Sequence, residues 1–491
     1  MVSVETLLTF IVYLVFLMII GAYFFRRTGD IEGYLLGGRG LGSWVTALSA
    51  QASDMSGWLL MGLPGAIYVG GLMQSWIAIG LAIGTFFNWY LVSARLRVYT
   101  HNTRALTLST FFEERFKDPT GLLRVISAAI TIFFFTIYSS SGLVASGKLF
   151  ESMFQVDYHV AVLIGGTVIV GYTFLGGFLA VCWTDFVQGS LMFFAILVVP
   201  VLAYTHIGSD PAVVTRAMAA NEIAGGLLPA VFDLTAVLGI VSAAAWGLGY
   251  FGQPHILARF MGIRSIRALP RAMTIAMIWV VLSLGGAVAV GLLAVPMYPG
   301  LAWGNNEKVF IYMIQDLFNP WLGGILLAAI LSAIMSTIDS QLLVSSSTLT
   351  EDFYKRVLRR QPGDRELMWM GRVCVLVIAV VALALAMDPE NTVLGLVAYA
   401  WGGFGAAFGP LVLAALYSRR TTWQAALAGM LAGTAVLIAW KLLGWDTFLY
   451  EIVPGFIANL LTILGMNCLI RPQDDAIGQE FTAVVAEVRA R

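Results

Sequence analysis

The stretch Ser49-Ala50-Gln51-Ala52-Ser53-Asp54-Met55-Ser56-Gly57-Trp58 places an acid, three hydroxyl groups, an amide and a glycine inside an apolar run from 44 to 69. That run is long enough to cross a bilayer. An ionised group at the centre of a membrane helix costs at least about 2.5–3.5 kcal/mol, so it usually faces a cavity or a partner. Small residues and Gly57 predict that the helix opens here and frees carbonyl oxygens. We therefore expect a binding site for a cation and a solute.

The composition is that of a membrane protein. Of the 491 residues, 59% are hydrophobic and 11% are charged, whereas soluble domains carry about 25% charged residues. The net charge is zero and no basic stripe indicates a nucleic-acid partner; the expected partner is the lipid bilayer. The three cysteines, Cys182, Cys374 and Cys468, lie in separate apolar segments and predict buried free thiols.

Apolar segments that could span a membrane recur along the chain and predict an all-α polytopic fold. A span needs about 20 apolar residues. We expect thirteen transmembrane helices, at residues 5–25, 43–69, 72–95, 122–150, 159–179, 184–206, 231–257, 272–296, 321–347, 368–387, 393–417, 422–441 and 448–470. The first is expected to be a retained helix rather than a signal peptide, because it lacks a basic leading segment and a cleavage site.

The charges of the predicted loops indicate an orientation. If the N-terminus lies outside, all of the 28 Lys and Arg residues except Lys148, Arg216, Lys308 and Lys441 fall on the inward side. Cytoplasmic loops carry an excess of Lys and Arg. We therefore expect an external N-terminus and a cytoplasmic C-terminus.

Two predicted helices carry interruptions. The second is interrupted near Asp54, and the seventh by the stretch from Trp246 to Pro254. Broken helices at corresponding places indicate an inverted repeat with a central site. We expect a peripheral first helix and cytoplasmic loop at 1–42, one repeat at 43–206, a second at 231–417, peripheral helices at 418–470 and a cytoplasmic tail at 471–491.

The ninth predicted helix carries small and hydroxyl side chains on one face. Ala333, Ser336, Thr337 and Ser340 follow the spacing i, i+3, i+4 and i+7. Membrane hydroxyls often bond to carbonyls of their own helix. The alternative is a cation site, because a hard ion such as Na⁺ prefers oxygen ligands.

Longer motifs resemble those of a known family. They are Gly37-Gly38-Arg39, the segment from Ser53 to Gly65, Gly176-Gly177-Phe178 with Trp183-Thr184-Asp185, the segment from Trp246 to Phe260, and Ser336-Thr337. From about residue 5 to 470 the chain resembles the sodium/solute symporter family. The resemblance implies a five-plus-five inverted repeat of the LeuT type and no cofactor apart from Na⁺ as coupling ion. It also implies import of L-proline with one Na⁺ by alternating access, by a monomer in the bacterial cytoplasmic (inner) membrane.

The resemblance further implies two sets of binding residues. The sodium site would use main-chain oxygens of Ala52, Met55 and Ala333, the hydroxyls of Ser336 and Thr337, and Asp54 as a ligand or a nearby charge. The proline pocket would be lined by Ser56, Gly57, Trp58, Tyr138, Trp246, Tyr250 and Pro254. Aromatic and proline faces suit the ring of proline, while a half-helix start can bind its carboxylate. Such a pocket needs no buried Arg or Lys, and we expect none in the spans.

Five further polar residues are candidates for a gate: Arg39, Asp185, Gln253, Asp339 and Ser340. Most have a structural alternative. Arg39 could be an ordinary charge of an inward loop, and Asp185 is more often a helix cap beside Thr184. Asp339 could pair with a basic loop residue. Gln253 and His255, on either side of Pro254, could line the pocket or could equally satisfy backbone groups at the break.

Other functions remain open alternatives. A symporter of the same family could carry pantothenate, a short carboxylate or another amino acid. A membrane sensor or a channel would be a different class of protein. The sequence presents no nucleophile–base pair, metal-ligand cluster or phosphate loop, so we do not expect an enzyme.

Overall fold

The fold is described by a computed structural model that covers residues 3–25, 31–173, 177–301, 305–355, 363–470 and 476–490. Within these ranges all regular structure is helical, apart from an isolated parallel bridge between Leu41 and Ile263. The predicted all-α fold is confirmed. Gly176 of the quoted motif lies outside the described residues, as do Arg26 and Arg27 of the first predicted inward loop.

The α-helices of the described residues are numbered in chain order. They are α1 (Val4–Phe25), α2 (Ile31–Leu36), α3 (Ser43–Asp54), α4 (Leu63–Gly70), α5 (Ser75–Phe87), α6 (Ser93–Asn102), α7 (Leu108–Phe116), α8 (Leu122–Phe154), α9 (Tyr158–Thr173), α10 (Phe178–His206), α11 (Pro211–Ala220), α12 (Leu234–Ala244), α13 (Pro254–Gly262), α14 (Leu269–Met297), α15 (Val309–Leu317), α16 (Pro320–Ser347), α17 (Asp364–Leu385), α18 (Val393–Tyr417), α19 (Trp423–Leu442), α20 (Ile452–Leu469) and α21 (Ala476–Arg489). Short 3₁₀ segments occur at Gly37–Arg39, Gly71–Gln74, Ala245–Gly252, Ile266–Ala268, Asn306–Lys308 and Trp445–Thr447, and π-helical segments at Trp58–Gly62, Asn88–Val92 and Thr348–Tyr354.

Ten helical segments of the described chain are long and apolar enough to cross a membrane. One of them, Trp58–Asn102, is 45 residues long and covers the later part of the second predicted span and all of the third. Tyr158–Thr173 and Trp369–Leu385 are shorter apolar helices. The chain is a multi-pass membrane protein, and the number thirteen stays a prediction.

Both predicted interruptions are present. Helix α3 ends at Asp54, and Met55 takes φ −86° and ψ 78° before the chain turns into the π segment. After α12 the chain forms a 3₁₀ segment, and Gln253 is extended before Pro254 begins α13. Close packing against α18 explains the glycines of the second break, because a Cβ at Gly249 would lie 1.9 Å from the Trp401 side chain.

Two local expectations are wrong. Helix α10 begins at Phe178 after Gly177, six residues before the predicted start at 184, so Asp185 lies inside the helix and is not its cap. All three cysteines are free, but only Cys182 is buried; Cys374 is partly exposed and Cys468 is exposed. A side chain in a membrane helix can face lipid as readily as the protein core.

The tail contains a helix that packs on the body of the protein. Ile477, Phe481 and Val484 of α21 are buried, and Glu480 forms a 2.5 Å ion pair with Lys117. The spacing of these residues places one apolar stripe against the protein.

Candidate functional site

The two broken helices meet at Asp54. The Tyr250 hydroxyl, from the second break, donates to the Asp54 carboxylate at 2.5 Å. The Trp58 indole and the Tyr138 hydroxyl donate to the main-chain carbonyl of Asp54 at 3.1 and 3.3 Å. Trp246 stands beside Trp58, with ring centroids 6.4 Å apart. Four of the aromatic residues expected in a solute pocket are thus brought together around one buried acid.

The opened end of α3 also meets the hydroxyl face of α16. Ser336 donates to the Ala52 carbonyl at 2.7 Å and Thr337 to the same oxygen at 3.3 Å. Both hydroxyls also reach the Ala333 carbonyl of their own helix, at 3.3 and 3.2 Å. Two carbonyl and two hydroxyl oxygens therefore converge, which is the donor set that a hard cation prefers.

The carboxylate of Asp54 is oriented toward the aromatic residues. Its Oδ2 accepts from Tyr250, and its buried Oδ1 has no hydrogen-bond partner in the described structure. Met55 is buried in the opened segment, and its N–H donates to Gln51 at 2.8 Å. A direct contact of Asp54 or Met55 with a cation stays a prediction.

A buried arginine that is not among the predicted site residues lies next to this cluster. The Arg259 guanidinium, on α13, is 0% exposed and donates to Asp185 at 3.0 Å and to Ser340 at 2.5 Å. Ser49 and Ser53 of α3 both donate to the same Asp185 oxygen, at 2.7 and 3.1 Å. The expectation of no buried Arg or Lys is wrong: Lys148 is buried inside the predicted span 122–150, and Arg259 is buried just beyond the predicted span 231–257, where its charge is typical of an inward loop. A buried acid inside α10 needs a partner, and that need is the signal that could have indicated the arginine.

Comparisons with known proteins agree with this architecture. A family model described as "Sodium:solute symporter family" matches residues 34–433. The chain belongs to the sodium:solute symporter family. The symporter is 49% identical to the "Sodium/proline symporter" of Escherichia coli (strain K12), over 98% of this chain and 96% of that relative. It is 48% identical to the "High-affinity proline transporter PutP" of Bacillus subtilis (strain 168), over 95% and 98%.

Solved structures share the fold of the symporter. A Na⁺-coupled sialic acid symporter in a substrate-bound outward-open state aligns with a TM-score of 0.79 at 16% identity, over 96% of this chain and 99% of that chain. Mhp1, a nucleobase-cation-symport-1 family transporter, aligns with a TM-score of 0.55 at 14% identity, over 91% and 98%. The fold is of the LeuT type, and it is a transporter fold rather than that of an enzyme.

The remaining candidate pocket residues lie at the two breaks. The Ser56 N–H donates to the Asp54 carbonyl at 3.0 Å, and its hydroxyl accepts from the Trp58 N–H at 3.4 Å. Gly57 packs against α8, where an added Cβ would lie 2.9 Å from that of Ala145. Pro254 borders a cavity of about 20 Å³ between α13 and α16.

The candidate gate residues have different partners. Gln253 donates to the carbonyls of Gly249 and Trp401, both at 3.2 Å, so it satisfies backbone groups at the break. Asp339 accepts from the Thr173 hydroxyl, whereas its second oxygen has no partner in the described chain. Asp339 therefore contacts a threonine and not the basic loop residue that was suggested as its partner.

His255, which follows Pro254, was expected to satisfy backbone groups or to line the pocket. Its buried ring nitrogens make no hydrogen bond within the described residues. The ring instead contacts Phe135 and Tyr138, with centroids 5.4 and 6.2 Å apart. The histidine therefore packs against Tyr138, one of the candidate pocket residues.

Arg39 joins several chain segments. Its guanidinium donates to the carbonyls of Met261, Thr100 and Ala105 at 3.2, 3.1 and 2.8 Å, and it pairs with Glu32 at 3.0 Å. Burial lowers the pKa of Arg39 from its ordinary value, while Glu32 opposes this shift. The side chain holds the C-terminal ends of α6 and α13 together.

A second buried ion pair lies at the beginning of α18. The Lys148 ammonium donates to Glu307 at 2.6 Å, and the same carboxylate accepts from the N–H groups of Val393 and Leu394 at 3.0 and 3.1 Å. Sequence spacing does not reveal this contact, because Lys148 and Glu307 are 159 residues apart. The pair connects α8, the segment before α15 and α18.

Proposed function

We propose that this symporter imports L-proline together with one Na⁺ by alternating access. The observation that carries the proposal is the contact of the opened end of α3 with Ser336 and Thr337, directly beside the aromatic residues around Asp54. The relatives that are 45–49% identical over nearly the whole chain and are named for proline transport support the choice of solute.

The sodium ion would bind between Ala52, Ala333, Ser336 and Thr337, with Met55 and Asp54 completing the site. The hydroxyl groups would turn their lone pairs toward the ion. Binding would then order the opened segment of α3 against α16.

Proline would bind on the other side of Asp54. Its ring would contact Trp58, Tyr138, Trp246 and Tyr250, and Ser56, Gly57 and Pro254 would complete the pocket. N–H groups where the broken helix resumes would donate to the carboxylate, and carbonyl oxygens or aromatic faces would bind the ammonium group. Because the ion orders the same helix that encloses the solute, each ligand favours binding of the other.

The energy supplied by the entry of one Na⁺ is sufficient for the scavenging of proline. One charge crossing about 100 mV supplies about 2.3 kcal/mol, and a roughly tenfold sodium gradient adds about 1.4 kcal/mol. Together these could sustain a proline gradient of several hundredfold.

The organisation of the chain completes the proposal. The repeats would be 43–206 and 231–417, with 1–42 and 418–470 peripheral and 471–491 a cytoplasmic tail. The N-terminus would be external, the membrane would be the bacterial cytoplasmic membrane, and the monomer would be the functional unit. Arg39, Asp185, Gln253, Asp339 and Ser340 would contribute to the gate on the side of the basic loops.

Uptake of labelled proline into proteoliposomes tests the function. We expect accumulation with a sodium gradient, none when choline replaces sodium, and little displacement by pantothenate. Strong displacement by pantothenate would indicate another solute of the family. Absence of sodium-driven accumulation would favour a sensor, and equilibration without accumulation would indicate a channel.

A further inference from the structure

The first helix makes a polar contact that is not part of the proposed ion or solute site. The Tyr13 hydroxyl lies 2.6 Å from the Ser332 hydroxyl on α16, and the Gln188 amide on α10 donates to it at 3.3 Å. Neighbouring side chains of α1 are apolar and exposed, with Val12 66% and Ile19 63% exposed. Tyr13 therefore connects a peripheral helix to two helices that carry site residues.

Helix α1 is held closely against α16. The Thr6 hydroxyl donates to the Pro320 carbonyl at 3.1 Å. An added Cβ at Gly324 would lie 1.9 Å from the Thr9 hydroxyl. This close approach fixes the position from which Tyr13 reaches Ser332.

Two polar bridges between α10 and α16 lie on opposite sides of the proposed sodium site. In one, Ser53 contacts both Asp185 of α10 and Ser340 of α16, at 3.1 and 2.9 Å. In the other, Tyr13 contacts Gln188 and Ser332. The second bridge lies later in α10 but earlier in α16, so these helices run antiparallel. Residues 333–337 of α16 fall between the two bridges.

The spacing of α10 and α16 sets the distance across the proposed ion site. Gly189, next to Gln188, packs on α3 so closely that an added Cβ would lie 3.2 Å from the Ala52 Cβ. Ser332 is one helical turn from Ser336, whose hydroxyl bonds to the Ala52 carbonyl at 2.7 Å. Movement of α16 away from α10 would therefore lengthen the contact between Ser336 and Ala52.

We propose that Tyr13 is a positioning residue for the sodium site. Its hydroxyl holds α16 against α10 at the spacing that lets Ser336 and Thr337 converge with the Ala52 carbonyl. This inference rests on the proposed function. It assigns to the first helix a role in ion affinity, and it requires no contact between Tyr13 and the ion.

The test compares Tyr13→Phe, which keeps the ring and removes the hydroxyl, with the unmodified full-length symporter in proteoliposomes. We expect the sodium concentration for half-maximal proline uptake to rise three- to tenfold, while the KM for proline at saturating sodium changes less than twofold. Ser332→Ala should likewise raise the half-saturating sodium concentration and leave the KM for proline nearly unchanged. The double variant Tyr13→Phe with Ser332→Ala should raise that sodium concentration no further than either single variant does. Tyr90→Phe, which removes an exposed hydroxyl, should change neither constant.

A readout without proline separates this inference from the proposed function. The dependence of the melting temperature on NaCl, with choline chloride as control, reports ion affinity directly. If the unmodified protein shows the sodium response but no proline uptake, the proposed solute is wrong while the role of Tyr13 can still be measured. An unchanged sodium response in both Tyr13→Phe and Ser332→Ala would overturn the inference. An equal loss of sodium and proline affinity would also overturn it, because that pattern indicates general loosening of the fold.

Discussion

The Tyr250 hydroxyl donates a 2.5 Å hydrogen bond to the Asp54 carboxylate, and this bond joins the two broken helices of the symporter. Asp54 has no other side-chain hydrogen bond within the described structure. The acid is therefore held at the boundary between the proposed ion site and the proposed solute pocket. A group in this position can respond to both ligands.

Removal of the Tyr250 hydroxyl should weaken solute binding strongly. In the proposed pocket this bond holds together the two breaks that enclose proline, and a hydrogen bond to a charged group contributes about 1.5–3 kcal/mol, so Tyr250→Phe should raise the proline KM by up to roughly 10- to 100-fold. Tyr138→Phe is the matched control, since that hydroxyl donates to a main-chain carbonyl at 3.3 Å. Tyr138→Phe should raise the proline KM about fivefold, as expected for loss of a neutral hydrogen bond. Uptake of labelled proline at saturating sodium measures the KM of both variants. A larger rise in KM for Tyr138→Phe than for Tyr250→Phe would contradict the role given to Tyr250.

Loss of a hydroxyl group from α16 should chiefly weaken the binding of sodium. Thr337→Val keeps the shape of the side chain and removes one of the four converging oxygens. We expect the half-saturating sodium concentration to rise about tenfold, as for roughly 1.4 kcal/mol of lost binding energy. Thr434→Val removes a hydroxyl that bonds to its own helix at 2.8 Å in α19, which carries none of the candidate site residues, and it should leave sodium affinity unchanged. Equal behaviour of the two variants in sodium titrations would argue against the site.

Local sequence patterns were sufficient to predict both breaks but not the contacts between distant segments. Polar and small residues near Asp54, and the glycines before Pro254, interrupt apolar runs in a way that is visible along the chain. The partner of Asp185 is not visible in this way, because Arg259 lies 74 residues away. Arg259 sits where an apolar run ends, a position that is typical of a charge in a loop. The hydrogen bond from Gln188 to Tyr13 spans 175 residues and has no local signature at all.

The Asp185–Arg259 pair should show the behaviour of a buried ion pair. Both side chains are 0% exposed, and removal of one charge leaves the other uncompensated, at a cost of about 3–5 kcal/mol. Arg259→Gln should therefore lower the melting temperature of the detergent-solubilised protein markedly. The double variant Asp185→Asn with Arg259→Gln should recover much of the loss. A double variant that is less stable than either single variant would show that the two charges do not compensate each other.

The beginning of α18 depends on Glu307, and hydrogen exchange can detect that dependence. Glu307→Ala removes the acceptor for the N–H groups of Val393 and Leu394 and leaves Lys148 buried without its partner. Loss of a helix cap costs about 0.5–2 kcal/mol, and the unpaired lysine adds to that cost. Amide exchange in peptides that contain Val393 and Leu394 should therefore accelerate by at least tenfold, measured by mass spectrometry.

Glu151→Ala is the matched control for this experiment. It removes the partner of Lys308 from an ion pair in which Glu151 is 34% exposed, and partly exposed pairs contribute little. Exchange at the beginning of α18 should stay within twofold of the unmodified symporter. If the two variants accelerate exchange equally, the loss of a negative charge near α8 would explain the result, and the capping role of Glu307 would be wrong. Because the Glu307 carboxylate accepts from the N–H groups of α18 whereas the Glu151 carboxylate accepts from Lys308, we expect faster exchange at the beginning of α18 only in Glu307→Ala.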